Sequence, residues 1–132
     1  DLPLYKGGEE TIQRTDYKVT VKTSDLMGAG TDANVLMTLF GPNGDSGELE
    51  LKKSETNINK FERNRIDVFV FKNMLSLGEL VKCRIWHDNT GSLIGNSNWH
   101  LASVKVEDLA FGKTWNIDFI ASGFVWDFTQ LD

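Results

Sequence analysis

The 132 residues carry 14 Lys and Arg against 19 Asp and Glu, a formal charge of −5, so the bulk field opposes binding to nucleic acid or to a bare anionic membrane. With 40% hydrophobic residues the chain reads as one globular domain with its own core, and a single cysteine, Cys83, excludes an internal disulfide. No apolar run reaches the length of a transmembrane helix.

Residues 1–15 are polar around Gly7-Gly8-Glu9-Glu10 and are expected to form a linker or tail ahead of a domain over 16–132. The chain has neither an initiator Met nor a basic-then-apolar leader, and it is expected to be a segment of something longer. From Tyr17 onward apolar residues recur at period two, not at the helical 3.6. Residues 17–23 alternate as a half-buried strand. Residues 34–40 place Val35, Met37 and Leu39 on one face and Leu36 and Phe40 on the other. Residues 48–52 alternate again, and 67–71 are β-branched and aromatic. Residues 57–64 are polar and read as a turn, too short for a stable helix. Strands at 79–86, 99–106, 114–119 and 123–128 complete the series, with Cys83 as a small buried strand residue. Short strands punctuated by Gly, Asn, Asp and Pro predict an all-β antiparallel sandwich or barrel. Trp86, Trp115 and Trp126 fall in strands. Trp99 follows the loop 89–98, whose Leu93-Ile94 pair in a polar setting predicts either folding back or contact with a membrane or partner.

Enzyme signatures are missing. There is no Gly-x-Ser-x-Gly elbow, paired Cys-x-x-Cys, His-Glu-x-x-His or phosphate-cradling loop, and His87 beside Asp88 is weak alone. The chemistry concentrates in three loops: Gly28-Ala29-Gly30-Thr31-Asp32-Ala33-Asn34, Gly41-Pro42-Asn43-Gly44-Asp45-Ser46-Gly47, and His87-Asp88-Asn89-Thr90-Gly91. Asp25, Asp32, Asn43, Asp45, Asp88 and Asn89 offer the oxygen donors that calcium takes, without the thiolate or imidazole cluster that zinc favours. The same residue types are also ordinary turn formers. Strand length imposes a constraint: Asp32 precedes the 34–40 strand and Asn43 follows it, which separates them by about 20 Å. Residues 52–65 hold five basic and two acidic residues, a solvated face or a contact for anionic lipid or an acidic partner.

Tyr17-x-Val19-x-Val21-x-Thr23, Gly28-Ala29-Gly30-Thr31-Asp32-Ala33-Asn34-Val35 and Leu39-x-Gly41 together resemble the start of a PLAT, or lipoxygenase homology, domain. Leu77-Gly78-Glu79-Leu80, Arg84-Ile85-Trp86-His87-Asp88-Asn89, Trp99-x-Leu101 and Trp126 continue the resemblance in family order over roughly residues 16–128. Lys53-Ser54-Glu55-Thr56-Asn57 and Lys60-Phe61-Glu62-Arg63 are similar to the repeats of proteins that carry many such domains. The resemblance implies a sandwich of two four-stranded antiparallel sheets. It also implies a non-catalytic, monomeric module of a larger chain, intracellular and peripheral at the cytoplasmic face of a membrane. Its partners would be membrane lipids or a protein, often with calcium; the alternatives are a calcium-independent protein scaffold or an accessory domain of a lipid-active enzyme. By resemblance the metal ligands are Asp25, Gly28, Gly30 and Asp32 from the first loop, Asn43 and Asp45 from the second, and Asp88 from the third. The membrane or partner contacts would be Leu26, Met27, Leu93, Ile94 and Trp99.

Overall fold

The structure is a computed structural model that describes residues 13–26, 29–31, 33–57, 59–88, 99–118, 122–123 and 125–129. Among the described residues ten strands follow in order: β1 (Arg14–Thr23), β2 (Val35–Gly41), β3 (Gly44–Asp45), β4 (Leu49–Glu50), β5 (Ile66–Leu75), β6 (Lys82–His87), β7 (Trp99–Asp108), β8 (Lys113–Asp118), β9 (Ser122–Gly123) and β10 (Val125–Phe128). They form two sheets, each a path of four strands with one two-residue strand added. One runs β5-β1-β7-β8 with β9 on β7; the other runs β10-β6-β2-β3 with β4 on β2. Every pairing is antiparallel.

Alternation explains the layers. Tyr17, Val19 and Val21 of β1 point inward while Lys18, Thr20 and Lys22 remain partly exposed. Val35, Met37 and Leu39 of β2 meet them from the facing sheet, together with Cys83 and Ile85 of β6. Strict period two fails once on β7. Leu101 and Val104 are both buried although three residues apart. The register slips there, with Lys22 opposite Ser103 but Thr23 opposite Leu101, so Ala102 is the extra residue of a bulge that returns the side chains to the core. A second irregularity lies opposite Asp16, where Asn73 adopts a left-handed φ of 57° and donates its N–H to Asp16 Oδ1 at 2.9 Å.

The alternation at 48–52 yields only the two-residue β4, because the chain then crosses to the other sheet. Leu51 N–H still donates to Val35 O, and Glu55 N–H donates to Val68 O on β5. The 76–81 connection packs so closely on β2 that a Cβ at Gly41 would lie 2.3 Å from Leu77 O. Beneath it, Asp108 is buried and accepts from Thr15 Oγ1 and Ser76 Oγ, while Tyr17 Oη accepts from Leu77 N–H. Burial, with the Asp108 charge adding to it, pushes the Tyr17 phenol above its ordinary pKa. This polar plug closes the end of the sandwich that carries the β2–β3 turn and the β7–β8 turn.

Candidate functional site

The opposite end gathers the described part of the first loop, Asp88 after β6, and the 59–65 turn. Thr23 N–H donates to Arg65 O, Asn64 N–H to Ser24 O, and Ser24 N–H to His100 O. Past the rim, His100 N–H donates to Ala29 O and Thr31 N–H to Phe61 O, while Ala33 N–H is taken by Thr31 Oγ1. Gly30 is where the loop touches the turn: a Cβ there would lie 2.8 Å from Phe61 O and 3.3 Å from Glu62 Cα. Close backbone approach is thus a function of Gly30 in its own right.

The turn is held from below by a carboxylate. Asp67 on β5 is fully buried, accepting from Phe61 N–H at 2.9 Å and Asn57 Nδ2 at 3.1 Å. Phe61 and Asn64 sit at left-handed φ of 58° and 57°. The Phe61 ring stacks on Phe69 with centroids 5.7 Å apart and meets Trp99 edge-on at 5.0 Å. Trp99 is therefore not a rim contact as its position after a polar loop suggested. It is 0% exposed, and its indole N–H donates to Thr23 Oγ1 at 2.9 Å. As the first residue of β7 it lies on the inward phase of the strand, so the core claims it.

Of the carboxylates at this end, Asp25 lies at the rim and accepts from Arg63 Nε at 3.0 Å, with the two side chains 62% and 53% exposed. Asp88 holds the neck of the first loop, taking Asn34 N–H on Oδ1 and Asn34 Nδ2 on Oδ2. Leu26, next to Asp25, is 54% exposed. Met27, Gly28, Asp32, Leu93 and Ile94 lie outside the described residues. Asn43 and Asp45 are at the far end, beyond the seven residues of β2, about 20 Å away. There Asn43 N–H donates to Leu77 O and its Nδ2 to Ser76 O, and Asp45 Oδ1 accepts Gly47 N–H in a local turn. The strand thus keeps the second loop apart from the first and third. Among the described residues no three side chains from His, Cys, Asp and Glu come together as a metal-binding group. The donors at the first-loop end are all oxygens, which suits calcium in kind. The described carboxylates there already hold protein partners, Asp25 the exposed Arg63 side chain and Asp88 the exposed Asn34.

Two functional residues escaped the sequence reading. Arg63 was one cation within the basic 52–65 stretch, and Asp67 was one polar residue in a β-branched run. Their partners are 38 and 6 residues away, distances that no local pattern encodes.

Two antiparallel sheets packed face to face, with the first loop at one end and the second at the other, make a small β-sandwich domain. The PLAT/LH2 domain model matches residues 17–122, and the chain belongs to that family. It is 57% identical over 107 residues to mouse lipoxygenase homology domain-containing protein 1, covering 81% of this chain and 5% of that protein's length. The fold is shared with coral 8R-lipoxygenase, described as calcium-activated through a C2-like domain (TM-score 0.73, 20% identity, 85% of this chain and 16% of that one). It is also shared with a calcium-dependent 11R-lipoxygenase (TM-score 0.63, 28% identity, 86% of this chain and 17% of that one).

Proposed function

We propose that this chain is a non-catalytic PLAT module that attaches a larger protein to a membrane surface through its first-loop end, with calcium assisting. The observation that carries the reading is the placement of the Asp25 carboxylate beside exposed Leu26 at the rim of a rigid sandwich. The fold shared with a calcium-dependent lipoxygenase supports it. Asp25, with Asp32 and the carbonyls of Gly28 and Gly30, would hold the metal. A calcium ion held there would supply the positive charge that attracts the phosphate of a lipid headgroup. Asp88 braces the loop through Asn34, and the bonds from Ser24, Ala29 and Thr31 keep its base in place. Leu26 enters the interface, and burying its exposed half adds about 1 kcal/mol. In this reading attachment is peripheral, at the cytoplasmic face of the membrane.

Cosedimentation with phosphatidylserine-containing vesicles, in calcium and in chelator, tests it. Pelleting should rise with calcium and fall in Leu26→Ser and Asp25→Asn; equal pelleting in calcium and chelator would sink the calcium role. A second reading, a calcium-independent protein scaffold, is favoured by one observation: Asp25 and Asp88 are already partnered by Arg63 and Asn34. Partner binding that survives both chelator and Asp25→Asn would select it.

A further inference from the structure

We infer that copies of this chain associate head to tail, the lysine-bearing outer face of one sheet docking on the carboxylate-edged outer face of the other sheet in a second copy. The inference is independent of the calcium reading above, because it uses no metal and no residue of the first loop.

Both faces follow from alternation. On β1 the positions between inward Tyr17, Val19 and Val21 are Lys18, Thr20 and Lys22, which face outward. Register sets the edge strand β5 beside them, with Val70 opposite Lys18, Val68 opposite Thr20 and Ile66 opposite Lys22. Ile66 is 49% exposed. The face thus carries an apolar stripe alongside two lysines four residues apart on one strand, about 13 Å. On the other side of β1, Lys105 stands opposite Thr20 and Glu107 opposite Lys18. Glu107 lies 3.9 Å from Lys105 Nζ, and among the described residues no carboxylate pairs with Lys18 or Lys22.

The other sheet presents the complement. The outward positions of β2 are Leu36, Thr38 and Phe40, with Glu50 opposite Leu36 and Asp45 opposite Phe40. This face too is a largely apolar stripe beside two charges of one sign. Those charges again stand four residues of one strand apart, about 13 Å. Glu48, exposed between them in the chain, adds a third carboxylate. Asp45 Oδ1 accepts Gly47 N–H, Lys82 Nζ lies 5.0 Å from the Phe40 ring centre, and Arg84 is neutralised by Asp127. When two such faces pack at the usual sheet spacing of about 10 Å, stripe meets stripe and the lysine row meets the carboxylate row. An anionic bilayer would accept the lysines in any arrangement, so the matched spacing points to a second copy. The two patches lie on opposite faces of one sandwich, so the contact is heterologous and adds copies in a row instead of closing a pair.

The test is sedimentation velocity of the chain at concentrations rising to about 0.5 mM, the regime of small transient interfaces, in chelator throughout. Wild type should gain mass with concentration, and about 0.5 M salt should weaken the gain. One variant carries Lys18→Glu with Lys22→Glu; the other carries Glu48→Lys with Glu50→Lys, which leaves the Asp45 turn intact. Each alone has two faces of one sign and should associate at least about tenfold more weakly than wild type. An equal mixture of the two should recover association, because the lysine face of one meets the carboxylate face of the other. If the Glu pair on β1 lowers the melting point, Lys18→Gln with Lys22→Gln takes its place. A wild type that stays monomeric in low salt, or variants whose mixture associates no better than either alone, would overturn the inference. A monomeric wild type whose pelleting with anionic vesicles in chelator is lost in Lys18→Glu with Lys22→Glu would overturn it too, and would give the face to lipid.

Discussion

Asp67→Ala should destabilise this domain more than any single change at the exposed loop rim, and for a reason unconnected with metal. Asp67 is fully buried and carries two hydrogen bonds, from Phe61 N–H at 2.9 Å and from Asn57 Nδ2 at 3.1 Å. Truncation deletes a charged acceptor and leaves a buried backbone N–H without a partner, a penalty of about 1–3 kcal/mol for that group alone. With the lost contribution of the Asn57 bond the total comes to about 3 kcal/mol. For a chain of this size each kcal/mol corresponds to about 3–5 °C, so the melting point should fall by about 10–15 °C. Tryptophan fluorescence or circular dichroism melts in calcium and in chelator make the assay. The reasoning is refuted if Asp67→Ala melts within about 1 °C of wild type. It is refuted equally if the loss occurs only in calcium, since that would make Asp67 a ligand rather than a tether.

Gly30→Ala should cost about 1–3 kcal/mol, because its methyl must push the backbone of Phe61 and Glu62 away from the loop; a thermal melt measures it, and wild-type stability would mean the loop and turn are not in contact. The Cys83 thiol, pushed up to about 12 by burial and then by the Asp127 charge, should ignore a disulfide reagent at pH 8 in the folded protein and react only once denaturant is added. Prompt native reaction would contradict its burial. The Arg84 guanidinium hydrogen-bonds Asp127 through Nε and Nη2 and holds that carboxyl below its usual range. A depressed folded value means stability present above the unfolded pKa of about 3.9 and lost as pH falls through the folded one. The melting-point gap between wild type and Asp127→Asn should therefore be small but full at pH 6, close as pH drops below about 4, and shrink in salt; a gap constant across that range would count against the pair.

The sandwich was readable because one-sided burial writes itself into period two. Val35, Met37 and Leu39 alternate in the sequence and lie on one buried face of β2. Where the backbone breaks that period, the reading strays. The bulge at Ala102 puts Leu101 and Val104 on the same side, and the crossover after Leu51 cuts a five-residue alternation down to Leu49–Glu50. At the candidate site, strand length alone separates the Asn43 loop from the Asp32 loop, because rise per residue is fixed. What the sequence hid were the partners. Arg63 and Asn34 occupy the Asp25 and Asp88 carboxylates, and the phase of β7 turns Trp99 inward. Hydrogen bonds between residues tens of positions apart leave no periodic trace.

The left-handed turn at Phe61 and Asn64 has a consequence for how any signal would leave this domain. Its backbone is pinned on three sides, by Asp67, by Ser24 and by the Glu62–Arg65 closure, so the guanidinium of Arg63 can swing away while the chain beneath it stays put. Breaking the Arg63–Asp25 pair thus needs only a change of side-chain rotamer above a fixed turn, which exposed side chains make in picoseconds to nanoseconds. The backbone of the 61–65 turn would keep its outline while the charge displayed at that corner shifts.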